Sequence, residues 1–464
     1  MTSKRDLYQS YQFMMQRLIS GLVLRESDPL QSPLRRMIGS AFGSVMIAIL
    51  ALAVAGVIGL VKPGGNSSWK EEGKVIVEEE TGAQYVWLPD KAGVYHLHPV
   101  PNIGSGALLV GTAETVSVSR NSLADAPRGV MLGIPGTVNS LPDPKNVVGL
   151  PWTLCSLPAE TVSGVLVPNT ALAVGQAPTS GTPIGDNAML LRDIETDLLY
   201  LVWNSHRYLI PDQQAGLTAL GLGTATQIRV GTAWLTSLPT GKDLAPVTPP
   251  GSGSPSAAVS GYTVGTVVRS ASATGDASYV VQQDGLLPVS AVEAALTEQL
   301  TGPASVVDPQ VIASVPVLDA PQPDPADLPA EMPEVVTPGS ADSTVCAEFG
   351  ENPATPEISL EAGVEGAQNA PASPKVEAGG TVLADRVLIA PGTGAVVRSM
   401  SSPDDRNGPL FIVTDDGTRY AIPSKDILAT LGLKSVKPIL LPASLIDRVP
   451  QGAALDPEAA KVPI

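Results

Sequence analysis

Residues 37–61, MIGSAFGSVMIAILALAVAGVIGLV, constrain this chain more than any other stretch. They are 25 residues without a charge, set between Arg36 and Lys62. A helix crossing the ~30 Å hydrocarbon core of a bilayer needs about 20 apolar residues. At ~1.5 Å per residue this run has length to spare, so a tilted crossing is expected. Gly39, Gly43, Ala55, Gly56 and Gly59 give it small faces on which another helix can pack closely. A buried core helix seldom runs this long uncharged. A signal peptide has a shorter apolar core near the terminus and a small-residue cleavage site, whereas 36 residues precede this run. The reading is a retained single-pass anchor, with no second run long and apolar enough to span.

The flanks set the expected orientation. Lys4, Arg5, Arg17, Arg25, Arg35 and Arg36 lie before the span, and positive residues beside a span stay in the cytoplasm. Residues 1–36 are therefore expected inside and the large C-terminal part outside the cell membrane. The chain carries a formal charge of −17, while its first 36 residues are net positive. Between Arg269 and Lys375 there are 16 carboxylates and no Lys or Arg. Such an acidic exterior excludes nucleic acid as a partner, because phosphates require cations. With 45 Gly, 44 Pro and 4% aromatics, short strands and many turns are expected, with modest helix. The two cysteines, Cys155 and Cys346, both fall on the expected outer side, where disulfides persist. One bridge is the simple reading and two separate buried thiols the alternative.

Before the span, Leu7, Tyr11, Met14, Leu18 and Leu22 recur at spacings of three and four, with Tyr8, Met15 and Ile19 widening the stripe. That is one face of an amphipathic helix, expected to stop at Pro29. Ser32 and Pro33 read as the cap and first turn of the membrane helix. No inner domain exists for the stripe to pack on, so it meets a partner protein or the lipid surface. The sparsely basic polar face favours a partner.

The outer part repeats. GTVVRS at 265–270 matches GAVVRS at 394–399, and each is followed by a strand, an Asp-Gly turn, a second strand and a proline. Asp-Gly between apolar runs is a strong hairpin signal. LLYLVWNSHRYLIP (198–211), with Asn204-Ser205 at its turn, and QYVWLPDKAGVYHLHPV (84–100) are further copies. Short helices are expected at 215–222, 291–300 and 425–433, each before a strand and an acidic-proline turn. LTSLPTGKDLAP (235–246) pairs with LIDRVPQGAALDP (445–457), and VIASVPVLDAP (311–321) is a looser third. The reading is four modules of about 45 to 50 residues, each of about three strands and a short helix. Their expected bounds are 72–124, 186–250, 259–304 and 381–435. Segments 125–185, 305–380 and 436–464 form a central β body, and GSGSP within 251–258 is a linker dividing the outer part into halves of two modules each.

Catalytic chemistry is hard to find. The nearest text to a phosphate-binding loop, LPTGKDL (238–244), lacks the first glycine and has Asp243 where a hydroxyl should hold magnesium. The residues read as a turn. His96, His98 and His206 do not gather in sequence and read as solvent-facing strand histidines rather than a metal site. Asp404-Asp405 and Asp415-Asp416 sit in turn contexts. No catalytic residue, metal or cofactor is assigned.

YQFMMQRLISGLV (11–23), then DPLQSPLRRM (28–37), one span, GKVIVEEETGAQYVWL from Gly73, four outer repeats and two distant cysteines together resemble the EccB family. These are single-pass core components of actinobacterial type VII (ESX) secretion machines. The resemblance covers essentially the whole chain. It implies an α+β, β-rich architecture: one N-terminal transmembrane helix and an elongated outer domain of four repeat modules around a disulfide-linked central β body. It implies a structural subunit assembled with EccC, EccD and EccE, homo-oligomeric within the complex, with Cys155 and Cys346 matching the family bridge. Some family members are described as ATPases, an activity for which no Walker motif is visible here. A weak ATPase and an envelope glycan-binding anchor are the rival functions, the latter weakened by the sparse aromatics.

Overall fold

The computed structural model describes residues 3–25, 33–61, 67–272, 275–320 and 322–464. It divides into two compact units, one of residues 1–68 with 118–125 and one of the remainder.

The first unit carries two long helices. Helix α1, Lys4–Leu24, opens on a capping box in which the Ser3 hydroxyl accepts from the Arg5 amide and the Asp6 carboxylate from the Ser3 amide. Its end comes sooner than the sequence implied. Arg25 is left-handed, with φ 56°, and terminates the helix. Pro29, the expected stop, lies outside the described residues, as does Ser32. Helix α2, Pro33–Val61, has 29 residues, about 43 Å of axis. It begins one turn before the uncharged run, since proline is tolerated in a first turn.

The second unit is built on five sheets. Strands β1 (Val75–Glu78), β2 (Gln84–Pro89), β3 (Tyr95–Val100) and β4 (Thr115–Val118) form the first, in the order β3-β2-β1-β4. Then β5 (Trp152–Glu160), β6 (Leu166–Ala173) and β7 (Thr182–Pro183) begin a larger sheet. A second four-stranded sheet follows, β8 (Met189–Asp193), β9 (Leu199–Trp203), β10 (His206–Ile210) and β11 (Ile228–Val230). A third comprises β12 (Val267–Ser272), β13 (Gly275–Val281), β14 (Leu286–Val289) and β15 (Ser305–Val306). The larger sheet resumes with β16 (Val345–Phe349), β17 (Glu357–Leu360) and β18 (Arg386–Leu388). The last four-stranded sheet is β19 (Gly394–Met400), β20 (Leu410–Thr414), β21 (Arg419–Ile422) and β22 (Ile439–Pro442).

All four small sheets share one connection: an antiparallel meander of three strands, a helix, then a fourth strand beside the first. That last strand is parallel to the first in β8–β11, β12–β15 and β19–β22. The helices are Ile103–Val110, Gln213–Ala219, Ala291–Thr301 and Lys425–Thr430. Three begin where a polar side chain takes an orphan amide: Asn102 from Ser105, Asp212 from Ala215, Ser290 from Glu293.

The hairpin turns differ in mechanism. Asn204 and Ser205 have φ 47° and 61°, the paired left-handed geometry of a two-residue turn matched to strand twist. Gly285, in the expected Asp-Gly turn, does not have a left-handed φ. It is small because a Cβ there would strike the Pro316 carbonyl.

The larger sheet runs β18-β6-β5-β16-β17-β7, with Cys155 on β5 directly opposite Cys346 on β16. A continuous core joins it to the second and fourth modules through Trp152, Leu154, Met189, Trp234, Phe349 and Val397. Two further cores pair the modules. Ala107 and Leu108 of the first pack with Ile412, Ile422 and Leu428 of the fourth. Val292 and Leu296 of the third pack with Tyr208, Ile210 and Leu220 of the second. The chain halves are therefore not the packed pairs, because first joins fourth and second joins third.

Several placements differ from the sequence reading because tertiary packing reassigns short segments: β15, at the start of 305–380, joins the third module's sheet, and β18, within 381–435, joins the larger sheet. Segment 436–464 supplies β22 to the fourth module's sheet. Segment 251–258 is held against the third module, where Gly253 and Ser256 amides donate to Val264 and Tyr262.

Candidate functional site

The apolar stripe of α1 has the geometry an assembly face needs. Leu7, Tyr11, Met14, Leu18 and Leu22 are 54–80% exposed. Tyr8 and Phe13 are exposed beside them. Burying a Leu- or Met-sized side chain is worth roughly 1.5–3 kcal/mol. Within α2, Ile38–Val57 has the length and composition of a membrane span and none of it is buried by protein. Arg35 and Arg36 lie on its first turn, and their side chains are outside the described residues.

Outside the helices, the Cys155–Cys346 disulfide joins β5 and β16 across 191 residues. It is packed among Ala171, Ala173, Ala362 and Val364.

The residues weighed for catalysis are dispersed. Lys242 lies not in a turn, as the sequence suggested, but in an irregular segment directly after the residues paired along β10; its amide donates to the Ala326 carbonyl, and its ammonium pairs with Asp327. That contact raises the Lys242 pKa and lowers that of Asp327. No helix begins after Lys242, so the amide cradle that holds phosphate in a P-loop is missing there. His96 and His98 are 6.2 Å apart on β3, and His206 lies in another sheet. Among the described residues no group of three or more His, Cys, Asp or Glu is disposed to hold a metal. One expectation is corrected: His206 is not solvent-facing but 7% exposed, drawn in because its Nδ1 lies 2.7 Å from the Asn204 carbonyl.

A recurrent contact escaped the sequence reading. In each module a Pro-x-x segment runs along the open edge of the third strand and trades two backbone hydrogen bonds with one residue. Leu97 takes Pro127 and Gly129, and Arg207 takes Pro239 and Gly241. Leu286 takes Pro316 and Leu318, and Arg419 takes Pro450 and Gly452. The exposed edge that would otherwise recruit another strand is thus covered. In three modules the segment carries glycine because a ring lies against it: His98 on Gly129, Tyr208 on Gly241, Tyr420 on Gly452. In the third the roles exchange, with Gly285 in the turn just before the strand and Leu318 on the segment. The signal was present as Pro-Arg-Gly, Pro-Thr-Gly and Pro-Gln-Gly at one place in three repeats.

Comparison with known proteins gives a consistent picture. The family description "Type VII secretion system ESX-1, transport TM domain B" matches residues 1–463. The chain is 27% identical to the ESX-3 secretion system ATPase EccB3 of Mycolicibacterium smegmatis, over 97% of this chain and 89% of that protein. It is 25% identical to the ESX-1 secretion system ATPase EccB1 of Mycobacterium tuberculosis, over 97% and 92%. Its fold is similar to a chain of an intact ESX-5 inner membrane complex, with a TM-score of 0.59, 24% identity and coverage of 100% and 96%. It is similar too to the EccB3 dimer from the ESX-3 core complex, with a TM-score of 0.57, 25% identity and coverage of 84% and 99%. Matched from its helical N-terminal segment through its last sheet, the chain belongs to the EccB family of type VII secretion systems, the ESX-1 transport TM domain B family.

Proposed function

We propose that this chain is a structural core subunit of a type VII (ESX) inner-membrane secretion complex. It is held in the membrane by α2, docks other subunits through α1 and presents its sheet-rich unit outside the cytoplasm. The carrying observation is the α1 stripe, five apolar side chains left exposed on a capped 21-residue helix. The relatives come from ESX inner membrane complexes and include a dimer, which supports a membrane assembly containing more than one copy. EccC, EccD and EccE are the proposed partners. The basic residues before α2 support a cytoplasmic N-terminus.

The test is Met14→Asp with Leu18→Asp. Two charges on the stripe oppose burial in any apolar interface, while α2 and its flank are untouched. The double variant is expected to stay in the membrane and to be missing from the full-size complex on native gels. A full-size complex containing it would end the docking role of α1. Neutral polar replacements on the same face are expected to weaken assembly too, whereas a helix lying on lipid would leave it unchanged.

The relatives carry the word ATPase in their names. We infer that this chain does not hydrolyse ATP through a P-loop, because Lys242 is engaged by Asp327 in an irregular segment with no helix directly following it. The purified protein is expected to show no ATP hydrolysis that depends on Lys242. Activity abolished by Lys242→Ala would overturn this.

A further inference from the structure

A cleft of about 420 Å³ opens where the second module, the fourth module and the larger sheet's loops meet. That is the size and the kind of place, a junction of packed blocks, at which proteins hold small ligands. Its position is built by named contacts. The Ser205 hydroxyl donates to the Pro356 carbonyl at 2.6 Å, fixing the β9–β10 turn to the loop after β16. The Ser444 hydroxyl donates to the Ser237 carbonyl at 2.7 Å, joining second and fourth modules. Arg406 holds Met400 through its sulfur at 3.3 Å.

The walls are apolar and uncharged: Pro239, Pro325, Pro403, Pro442 and Met400. The one ring among the lining residues is His206. Its Nδ1 faces a carbonyl that can only accept, so in the neutral imidazole Nδ1 carries the hydrogen and Nε2 is left as an acceptor. Among the described residues no protein group takes Nε2; the residue as a whole is 7% exposed, and Nε2 itself stays within reach of solvent at the cleft. The rim adds the Ser402 hydroxyl and the Asn352 side-chain carbonyl, both in exposed residues and of a kind that pairs with main-chain amides.

We propose that this cleft receives an uncharged aromatic ring bearing an N–H or O–H donor, of indole or phenol type, carried by an extended polypeptide segment. Proline faces and a methionine sulfur are favourable neighbours for an aromatic ring. The lining residues carry no carboxylate, lysine or arginine to bind an ion, and the Nε2 acceptor selects a donor at the ring's far end. A bound ring without a donor would cut Nε2 off from solvent and leave it unmatched, which is costly and makes the site discriminate.

The test titrates the full-length detergent-solubilised protein with capped amino acids by calorimetry, subtracting empty micelles. N-acetyl-tryptophanamide and N-acetyl-tyrosinamide are expected to bind at least about fivefold tighter than N-acetyl-phenylalaninamide, the factor that one hydrogen bond of about 1 kcal/mol gives. His206→Phe, which keeps a ring and removes the acceptor, is expected to erase that ratio. Ala443→Phe, which fills the cleft, is expected to abolish binding of all three. Both variants are checked for an unchanged thermal transition. Free indole and phenol are expected to bind at least about threefold more weakly than the capped amino acids, having no backbone for the rim. No binding by the unaltered protein, a ratio that survives His206→Phe, or binding that survives Ala443→Phe would overturn the site. Equal binding of free indole would overturn its assignment to a polypeptide.

Discussion

Gly241 and Gly452 look interchangeable with any turn residue in the sequence, yet each has a tyrosine ring where its Cβ would be. Neither has the positive φ that usually demands glycine, so the requirement is purely one of space. Tyr208 is fully buried, and its hydroxyl donates to the Asp327 carbonyl at 3.1 Å. Burial pushes its pKa up to about 12, so it stays a neutral donor across the ordinary pH range. Held at both ends, the ring cannot swing away from an added methyl. Gly241→Ala is therefore expected to cost about 1–3 kcal/mol, the usual range for overpacking a fixed site. Combined with Tyr208→Ala, which empties the space, the methyl should cost far less. Urea unfolding of the two single variants and the double variant measures this, and additive losses would show that ring and glycine do not oppose each other.

At the scale of elements, what the sequence made legible was what is local. The span, the strand–turn–strand repeats and three of the four helices after them, all but Ile103–Val110, are periodicity and turn chemistry, which neighbouring residues dictate. The α1 stripe was legible as spacing, and its residues are exposed. What stayed hidden was set by distant partners. Nothing around Gly285 or Gly241 tells that one avoids a carbonyl and the other a ring. Nothing around His206 tells that the Asn204 carbonyl will turn it inward. The disulfide lies between these cases, since compartment and parity suggested a bridge but only strand register puts Cys155 opposite Cys346. Because β5 and β16 already pair over five residues, the bridge reinforces a contact that forms without it. Closing a 191-residue separation stabilises by about 5 kcal/mol in the chain-entropy picture, and measured values commonly fall to 2–4. Cys346→Ser is expected to lower the stability of the sheet-rich unit by about 2–4 kcal/mol and to leave membrane insertion intact. Thermal unfolding and alkaline extraction of membranes report the two effects separately. An unchanged melting temperature would mean that the strand pairing alone carries this junction.

Across the whole molecule, repetition in sequence does not become repetition in packing. The four modules share a topology, but the first is fused to the fourth and the second to the third, the helices of both members meeting in each pair. The cores that result are unlike. In the second–third pair, Val292 and Leu296 of helix Ala291–Thr301 reach into a core whose other members include Tyr208, Ile210, Leu220 and Leu222. Leu296 is 2% exposed, so truncating it leaves a void that neither module closes alone. Leu296→Ala is expected to cost about 2–5 kcal/mol, as buried leucine truncations do. The distribution of that loss is the sharper expectation. If the pair unfolds as one cooperative block, amide exchange should accelerate together in β8–β10 and in β12–β14, although the second module is unchanged in sequence. Strands β19–β21 share no core with Leu296 and should keep their protection. Acceleration confined to β12–β14 would show that the modules are separate folding units that merely touch. Acceleration throughout would show that the larger sheet, which contacts both the second and fourth modules through Trp152 and Trp234, transmits the damage to the whole body.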